Sequence, residues 1–256
     1  MFYSFTLFGQ EIPMYAVCMW LGVAVAAFVA RRLAKKRNAI KSFDVILSAV
    51  YTMIFAMIGA KLLYLAVSWD GVMRVIDQRG YDVTDSIWYI LNNGFVFYGG
   101  LIGGFTAGYI WLKKYKQPIL PALDFFAVPL GLGHAIGRIG CFLAGCCYGK
   151  ISHNFLAVKY TDSESLGPEH LHNVGLYPVQ LMESFAVLIL FFILFYFYQK
   201  PHKKGVIFAG YLLGYGLIRF TLEYLRFDDR GTGLFGFSPS QIIAIILMLI
   251  HRTGLY

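Results

Sequence analysis

Long apolar runs, each closed off by charged or polar residues, set the rhythm of this 256-residue chain. A helix needs about 20 mostly apolar residues to cross a bilayer, and seven stretches read as such spans: 13–30, 43–69, 95–112, 120–147, 178–198, 206–225 and 237–250. The first is followed by "ARRLAKKRN" and not by a cleavage pattern, so it is expected to stay in the protein as an anchored span. Two intervening segments are long and more polar, 70–94 and 148–177. The former contains "DVTDSIWYIL", which predicts a short interfacial helix. No linker, low-complexity tract or internal repeat breaks the chain. Residues 1–256 therefore read as one all-α, polytopic integral membrane domain with outer loops at 70–94 and 148–177.

Composition agrees: 58% of residues are hydrophobic and 14% charged, with a mean hydropathy of +0.62. The net charge of +8 suggests nucleic acid until the basic residues are sorted by segment. Arg31, Arg32, Lys35, Lys36, Arg37, Lys41, Lys113, Lys114, Lys116, Lys200, Lys203, Lys204 and Arg252 all fall beside one set of span ends. The opposite loops hold fewer bases and most of the acids. Positive residues stay on the cytoplasmic side, which predicts an outer N-terminus and a cytoplasmic C-terminus. The basic excess then encodes topology, and no nucleic-acid partner is expected.

Three bases fall inside the spans: Lys61, Arg138 and Arg219. A charge at that depth costs at least about 2.5–3.5 kcal/mol unless it meets a polar partner or cavity. One reading pairs them with Asp124, Glu183 and Glu223 as structural ion pairs. The other takes Arg138 and Arg219, on different helices, as a clamp for an anionic lipid headgroup, because guanidinium presents a rigid fork of donors matched to phosphate oxygens. In "GYGLIRFTLEYLR", Tyr215, Arg219 and Glu223 lie four residues apart and share one helix face. In "FYGGLIGG" the glycines, Gly99 and Gly100 among them, suit close helix packing and also a cavity wall with exposed backbone donors.

Taken in order, "YGGLIGG", "GRIGCFLAGCCYG", "YPVQLMES" and "GYGLIRFTLEYLR" resemble the prolipoprotein diacylglyceryl transferase family across most of the chain. The resemblance implies seven transmembrane helices and a bacterial inner-membrane enzyme with its active site toward the outer leaflet. It implies phosphatidylglycerol as donor and, as acceptor, the thiol of the lipobox cysteine in a prolipoprotein signal peptide. Glycerol phosphate would be the leaving group, and no cofactor or metal is implied. Matched motif by motif, it assigns phosphate binding and catalysis to Arg138 and Arg219. It adds Tyr15, Tyr215, Gly149 and Glu223 as substrate-binding residues, with Arg226 and Asp124 as further matches.

The departures from the family pattern are chemical. Tyr98 stands where the family has histidine, Cys141 where it has asparagine, Cys146 at an acid position and Lys61 at an arginine. Tyrosine, with a pKa of about 10, is a poorer general base than histidine at about 6.5. Thiol activation then falls to His134, one turn before Arg138, or to a Tyr98 ionised by the arginines. His134 also reads as a packed, hydrogen-bonded helix residue, and Tyr98 as a packing aromatic.

Cys141, Cys146 and Cys147 cluster at the outer end of the fourth span. On a continuous helix the adjacent pair would point to different sides, against a metal site, and the expectation is small buried cysteines or redox chemistry. "YPVQLMES" offers Pro178 as a helix start, Gln180 for a headgroup or a neighbouring helix, and Glu183 for one of the three bases. "FSPSQIIAI" repeats that grammar with Ser238, Pro239 and Gln241. Beside the transferase, two alternatives stand: a transfer of the same lipid group to another acceptor, and a non-enzymatic protein that binds or moves phospholipid.

Overall fold

The computed structural model of the protein describes residues 4–7, 10–37, 42–92, 94–160 and 171–227. Its elements are β1 (Ser4–Leu7), β2 (Gln10–Pro13), α1 (Met14–Arg37), α2 (Ser42–Arg79), α3 (Val83–Asn92), α4 (Phe97–Lys114), α5 (Ile119–Leu143), β3 (Val158–Lys159), β4 (Gly175–Leu176), α6 (Val179–Tyr198) and α7 (Val206–Glu223). This is an all-α polytopic membrane protein with two small antiparallel ribbons, β1–β2 and β3–β4. Five helices, α1, α2, α5, α6 and α7, are long and apolar enough to cross a membrane. The expected stretch at 95–112 forms α4. The one at 237–250, with Ser238, Pro239 and Gln241, lies outside the described residues.

Two boundaries differ from the sequence expectation for physical reasons. The basic run after the first span continues as helix to Arg37, since Arg, Leu, Ala and Lys are strong helix formers. The segment at 70–94, expected as a loop around a short helix, is mostly helical. Here α2 runs on to Arg79 through a kink at Ser68, and α3 follows as the predicted amphipathic helix. At about 1.5 Å per residue, α2 is long enough to cross about 30 Å of hydrocarbon and project well beyond it.

The chain divides into two compact units, residues 34–119 and residues 1–33 with 120–256. Within the first, α2 and α4 meet backbone to backbone. A Cβ on Gly100 would stand 3.4 Å from the Ala56 carbonyl oxygen and 3.5 Å from the Ala60 Cβ. At Gly59, Gly99 and Gly103 a Cβ would run into backbone of the facing helix. Small residues therefore set this contact, as lipid-embedded helices require. Lys61 Nζ donates to the carbonyls of Ile90 (2.7 Å) and Gly94 (2.9 Å) and sits 4.0 Å from the Phe95 ring centroid. That cation fastens the α3–α4 connection to α2.

Within the second unit, α1 approaches α5 at Gly22 and Gly133, where a Cβ on either would lie 3.0–3.2 Å from the other's carbonyl oxygen. α6 joins α5 through Ser184 Oγ, which donates to the Ala135 carbonyl at 2.7 Å. The start of α7 is capped from α5. Gly205, at φ +91°, precedes the helix, and the buried Asp124 carboxylate accepts from the backbone N–H groups of Gly205 (2.5 Å) and Phe208 (2.9 Å). Asp124 thus acts as an N-cap supplied by another helix.

Two outcomes test this packing. Asp124→Ala should cost about 1–2 kcal/mol of stability, the usual loss for a removed cap, read as earlier thermal unfolding in detergent. Gly59→Ala should lower thermal stability and folded yield, whereas Gly71→Ala, where nothing stands within 4 Å of the added carbon, should be near neutral.

Candidate functional site

The centre of the second unit is a carboxylate. Glu183, on the first turns of α6, is fully buried, yet it lies in the apolar run "VQLMESFAVLILFF". Its Oε1 meets Arg138 Nη2 of α5 at 2.9 Å, accepts from the Tyr215 hydroxyl of α7 at 3.2 Å and faces His134 Nε2 at 3.9 Å. The Tyr215 hydroxyl also bonds Arg138. Three helices therefore converge on one oxygen. The second oxygen, Oε2, is buried with no hydrogen-bond partner among the described residues.

His134 is held on both sides. Its Nδ1 is 3.0 Å from the Tyr211 hydroxyl, and its ring meets that of Tyr215 edge-on at 4.7 Å. Tyr211 and Tyr215, one turn apart on α7, stack with centroids 6.2 Å apart. The packed, hydrogen-bonded histidine and a position beside Arg138 turn out to be compatible.

One turn further along α7, Arg219 Nη2 pairs with Glu223 Oε2 at 2.5 Å, and Arg226 Nε approaches the same oxygen at 3.9 Å. Glu183 also acts electrostatically on Arg219, so both arginines lie within its electrostatic range. Arg226 sits where the chain after α7 bridges to Gly149. Gly149 N–H donates to the Tyr177 carbonyl at 2.9 Å and Lys150 N–H to the Leu225 carbonyl at 2.8 Å. A Cβ on Gly149 would lie 2.6–2.8 Å from Val179, Tyr177 and Leu225, so only glycine threads this crossing.

Residues 3–256 match the prolipoprotein diacylglyceryl transferase family. The chain belongs to that family. It is 35% identical over 248 residues, 96% of this chain and 93% of the relative, to the phosphatidylglycerol--prolipoprotein diacylglyceryl transferase of Clostridium tetani (strain Massachusetts / E88). It is 32% identical over 246 residues to an enzyme of that name, numbered 2, from Clostridium perfringens (strain 13 / Type A), covering 95% and 90% of the two chains. The relative of that name from Finegoldia magna (strain ATCC 29328 / DSM 20472 / WAL 2508) is 30% identical over 249 residues, covering 95% and 91%.

Most of the family positions assigned from sequence lie in the second unit: Arg138 and Tyr215 contact Glu183 and His134 faces it, Arg219 pairs with Glu223 one turn further along α7, and Gly149 adjoins Arg226. Tyr15, at the start of α1, packs against Gly140 of α5, within electrostatic range of Arg138. Tyr98, Gly99 and Gly100 belong to the other unit, where Gly99 and Gly100 face α2. Sequence reasoning expected Glu183 to pair with a base but gave it no place in the site. It passed over Tyr211 altogether, and its only signal was the spacing of four from Tyr215.

The network predicts its own sensitivity. Glu183→Leu leaves the partly buried Arg138 without its carboxylate and should cost up to about 3 kcal/mol, the lower end for a broken buried pair. Glu183→Gln, which keeps an oxygen for Tyr215 and Arg138, should cost clearly less. Thermal unfolding of the two purified variants side by side reads the difference.

Proposed function

We propose that the protein transfers the diacylglyceryl group of phosphatidylglycerol to the lipobox cysteine thiol of prolipoproteins, releasing glycerol phosphate. The observation that carries this reading is a pair of guanidinium groups inside the helix bundle, the partly buried Arg138 on α5 and the buried Arg219 on α7, each already oriented by a carboxylate. A guanidinium presents its N–H donors in a rigid fork matched to phosphate oxygens. Glu183 and Glu223 fix the orientation of the two forks, and the phosphate is to be recognised by that preset geometry.

Chemically, the acceptor sulfur attacks the glyceryl carbon bonded to the phosphate ester oxygen. The S–C bond forms as the C–O bond breaks, and negative charge grows on the departing phosphate. Donors placed beforehand in a water-poor site stabilise that charge without reorganising. His134 is assigned to receive the thiol proton, held in orientation by the Tyr211 hydroxyl. Tyr215 and Glu223 hold the arginines, and Tyr15 and Gly149 border the same region. Tyr98, Gly99 and Gly100 are assigned to the site from the family motif. The donor would enter from the outer leaflet of the bacterial inner membrane, with its acyl tails remaining in lipid.

The test is a reconstituted assay with phosphatidylglycerol vesicles and a lipobox peptide, following peptide mass and released glycerol phosphate together. Arg138→Ala and Arg219→Ala should each lower turnover about 10²–10³-fold, the scale of a lost transition-state donor. Arg138→Lys should recover little, because an ammonium lacks the planar fork. Full turnover by both alanine variants at normal folded yield would overturn the assignment. Glycerol phosphate release without peptide modification would point to a different acceptor.

A further inference from the structure

Three thiols not used in the mechanism above meet at the end of α5. The helix closes at Leu143 with Gly145 in the left-handed region, at φ +68°. Cys146 N–H donates to the Cys141 carbonyl at 3.2 Å and Gly145 N–H to the Phe142 carbonyl at 3.1 Å. This six-to-one and five-to-two pairing is the Schellman closure, which folds the residue after the glycine back over the last turn. Cys146 is that residue and Cys141 lies on that turn, so their side chains are brought together. The expectation that Cys146 and Cys147 diverge along a continuous helix is therefore corrected.

Cys147 completes the set through an uncommon backbone. Its φ is +64°, a region that is costly for a non-glycine residue and persists only where the surroundings impose it. The result is three Sγ atoms all within 4.8 Å of one another, each thiol in hydrogen-bond contact with the other two. All four cysteines of the chain are unbridged. Gln180, almost fully buried, fixes the turn from α6 by donating to the Cys146 carbonyl at 2.6 Å and to the Tyr160 hydroxyl at 3.0 Å. The Arg226 side chain, 3% exposed, hydrogen-bonds Cys147.

We propose that Cys141, Cys146 and Cys147 form a binding site for one thiophilic divalent metal ion of the zinc class. A tetrahedral ion at about 2.3 Å from each sulfur holds its ligands about 3.8 Å apart, a spacing close to that of this trio, whose sulfurs already lie within 4.8 Å of one another. A disulfide would join two of the sulfurs and leave the third beside it, whereas one ion engages all three. A divalent ion on three thiolates carries one net negative charge, and the Arg226 guanidinium beside Cys147 is placed to offset it. Buried thiolates pay for desolvation unless metal and countercharge are both at hand. The fourth coordination position is taken by a ligand from outside the trio. Bound there, the ion clamps the turn that leads into Tyr148 and Gly149, and so the crossing of Gly149 with the chain at Arg226.

The test uses the full-length protein, purified anaerobically in detergent and titrated with Co²⁺ as a spectroscopic substitute for Zn²⁺. One Co²⁺ per chain should bind, with a thiolate-to-cobalt charge-transfer band, tetrahedral ligand-field bands, and displacement by one equivalent of Zn²⁺. Cys→Ser at 141, 146 or 147 should each weaken binding at least tenfold, while Cys18→Ser, a buried cysteine of α1, should leave it unchanged. The wild-type titration stands even if a variant fails to fold. Absence of the charge-transfer band in protein whose four thiols titrate as free overturns the site. A disulfide within the trio in the anaerobic protein overturns it equally. Transfer activity is measured separately, so an active but metal-indifferent protein sinks this proposal and leaves the transferase reading standing.

Discussion

A carboxylate buried in the apolar end of a membrane helix is the constraint around which the second unit is organised. Glu183 cannot remain charged at zero exposure without partners, and an unpaired charge in that setting costs several kcal/mol. The partners come from both neighbouring helices, Arg138 from α5 and Tyr215 from α7. They therefore set the register of each against α6. The same face of α6 carries Gln180 one turn earlier and Ser184 one residue later, bonded to the Cys146 and Ala135 carbonyls. Further along, that stripe turns apolar, with Val187, Leu190, Phe191 and Leu194 buried. One end of the helix is thus fixed by directional bonds and the other by packing density. Such a division permits a rigid polar site inside an otherwise featureless hydrophobic contact.

Much of this was legible in the chain. Apolar runs located the helices, and spacing of four put Tyr215, Arg219 and Glu223 on one face. The rarity of acids in the spans marked Glu183 as needing a base. What spacing could not say was which base, since Lys61, Arg138 and Arg219 were equal candidates until the helices were placed. Lys61 went to two carbonyls because α3 and α4 bring uncapped backbone to its reach, and nothing in the sequence announces an accepting carbonyl. Asp124 was readable as a buried acid but not as the cap of a helix whose preceding residue, Gly205, lies 81 positions later. The cysteine end was misread for a local reason. Gly145 is a helix stop signal, yet the apolar run through Cys147 outweighed it, and a continuous helix separates side chains that the closure in fact superposes.

The contrast between the lysine and the two arginines bears on the chemistry. Lys61 is a compact charge satisfied by carbonyl oxygens and an aromatic face, an arrangement that ties backbone segments together and has no directional preference for a tetrahedral anion. Arg138 and Arg219 are each paired with a carboxylate, and Glu183 acts on both. Pairing of this kind keeps each guanidinium charged and oriented in a low-dielectric setting before any lipid arrives. In the proposed transfer the cost is that an incoming phosphate adds to a partly neutralised site. In return the donors need no reorganisation when charge develops on the leaving group, the condition under which electrostatic stabilisation acts on the transition state more than on the bound lipid. A site made of unpaired arginines would hold the ground-state headgroup tightly and gain little in rate. A carboxylate paired with each guanidinium therefore fits the proposed transfer better than it fits simple phospholipid binding.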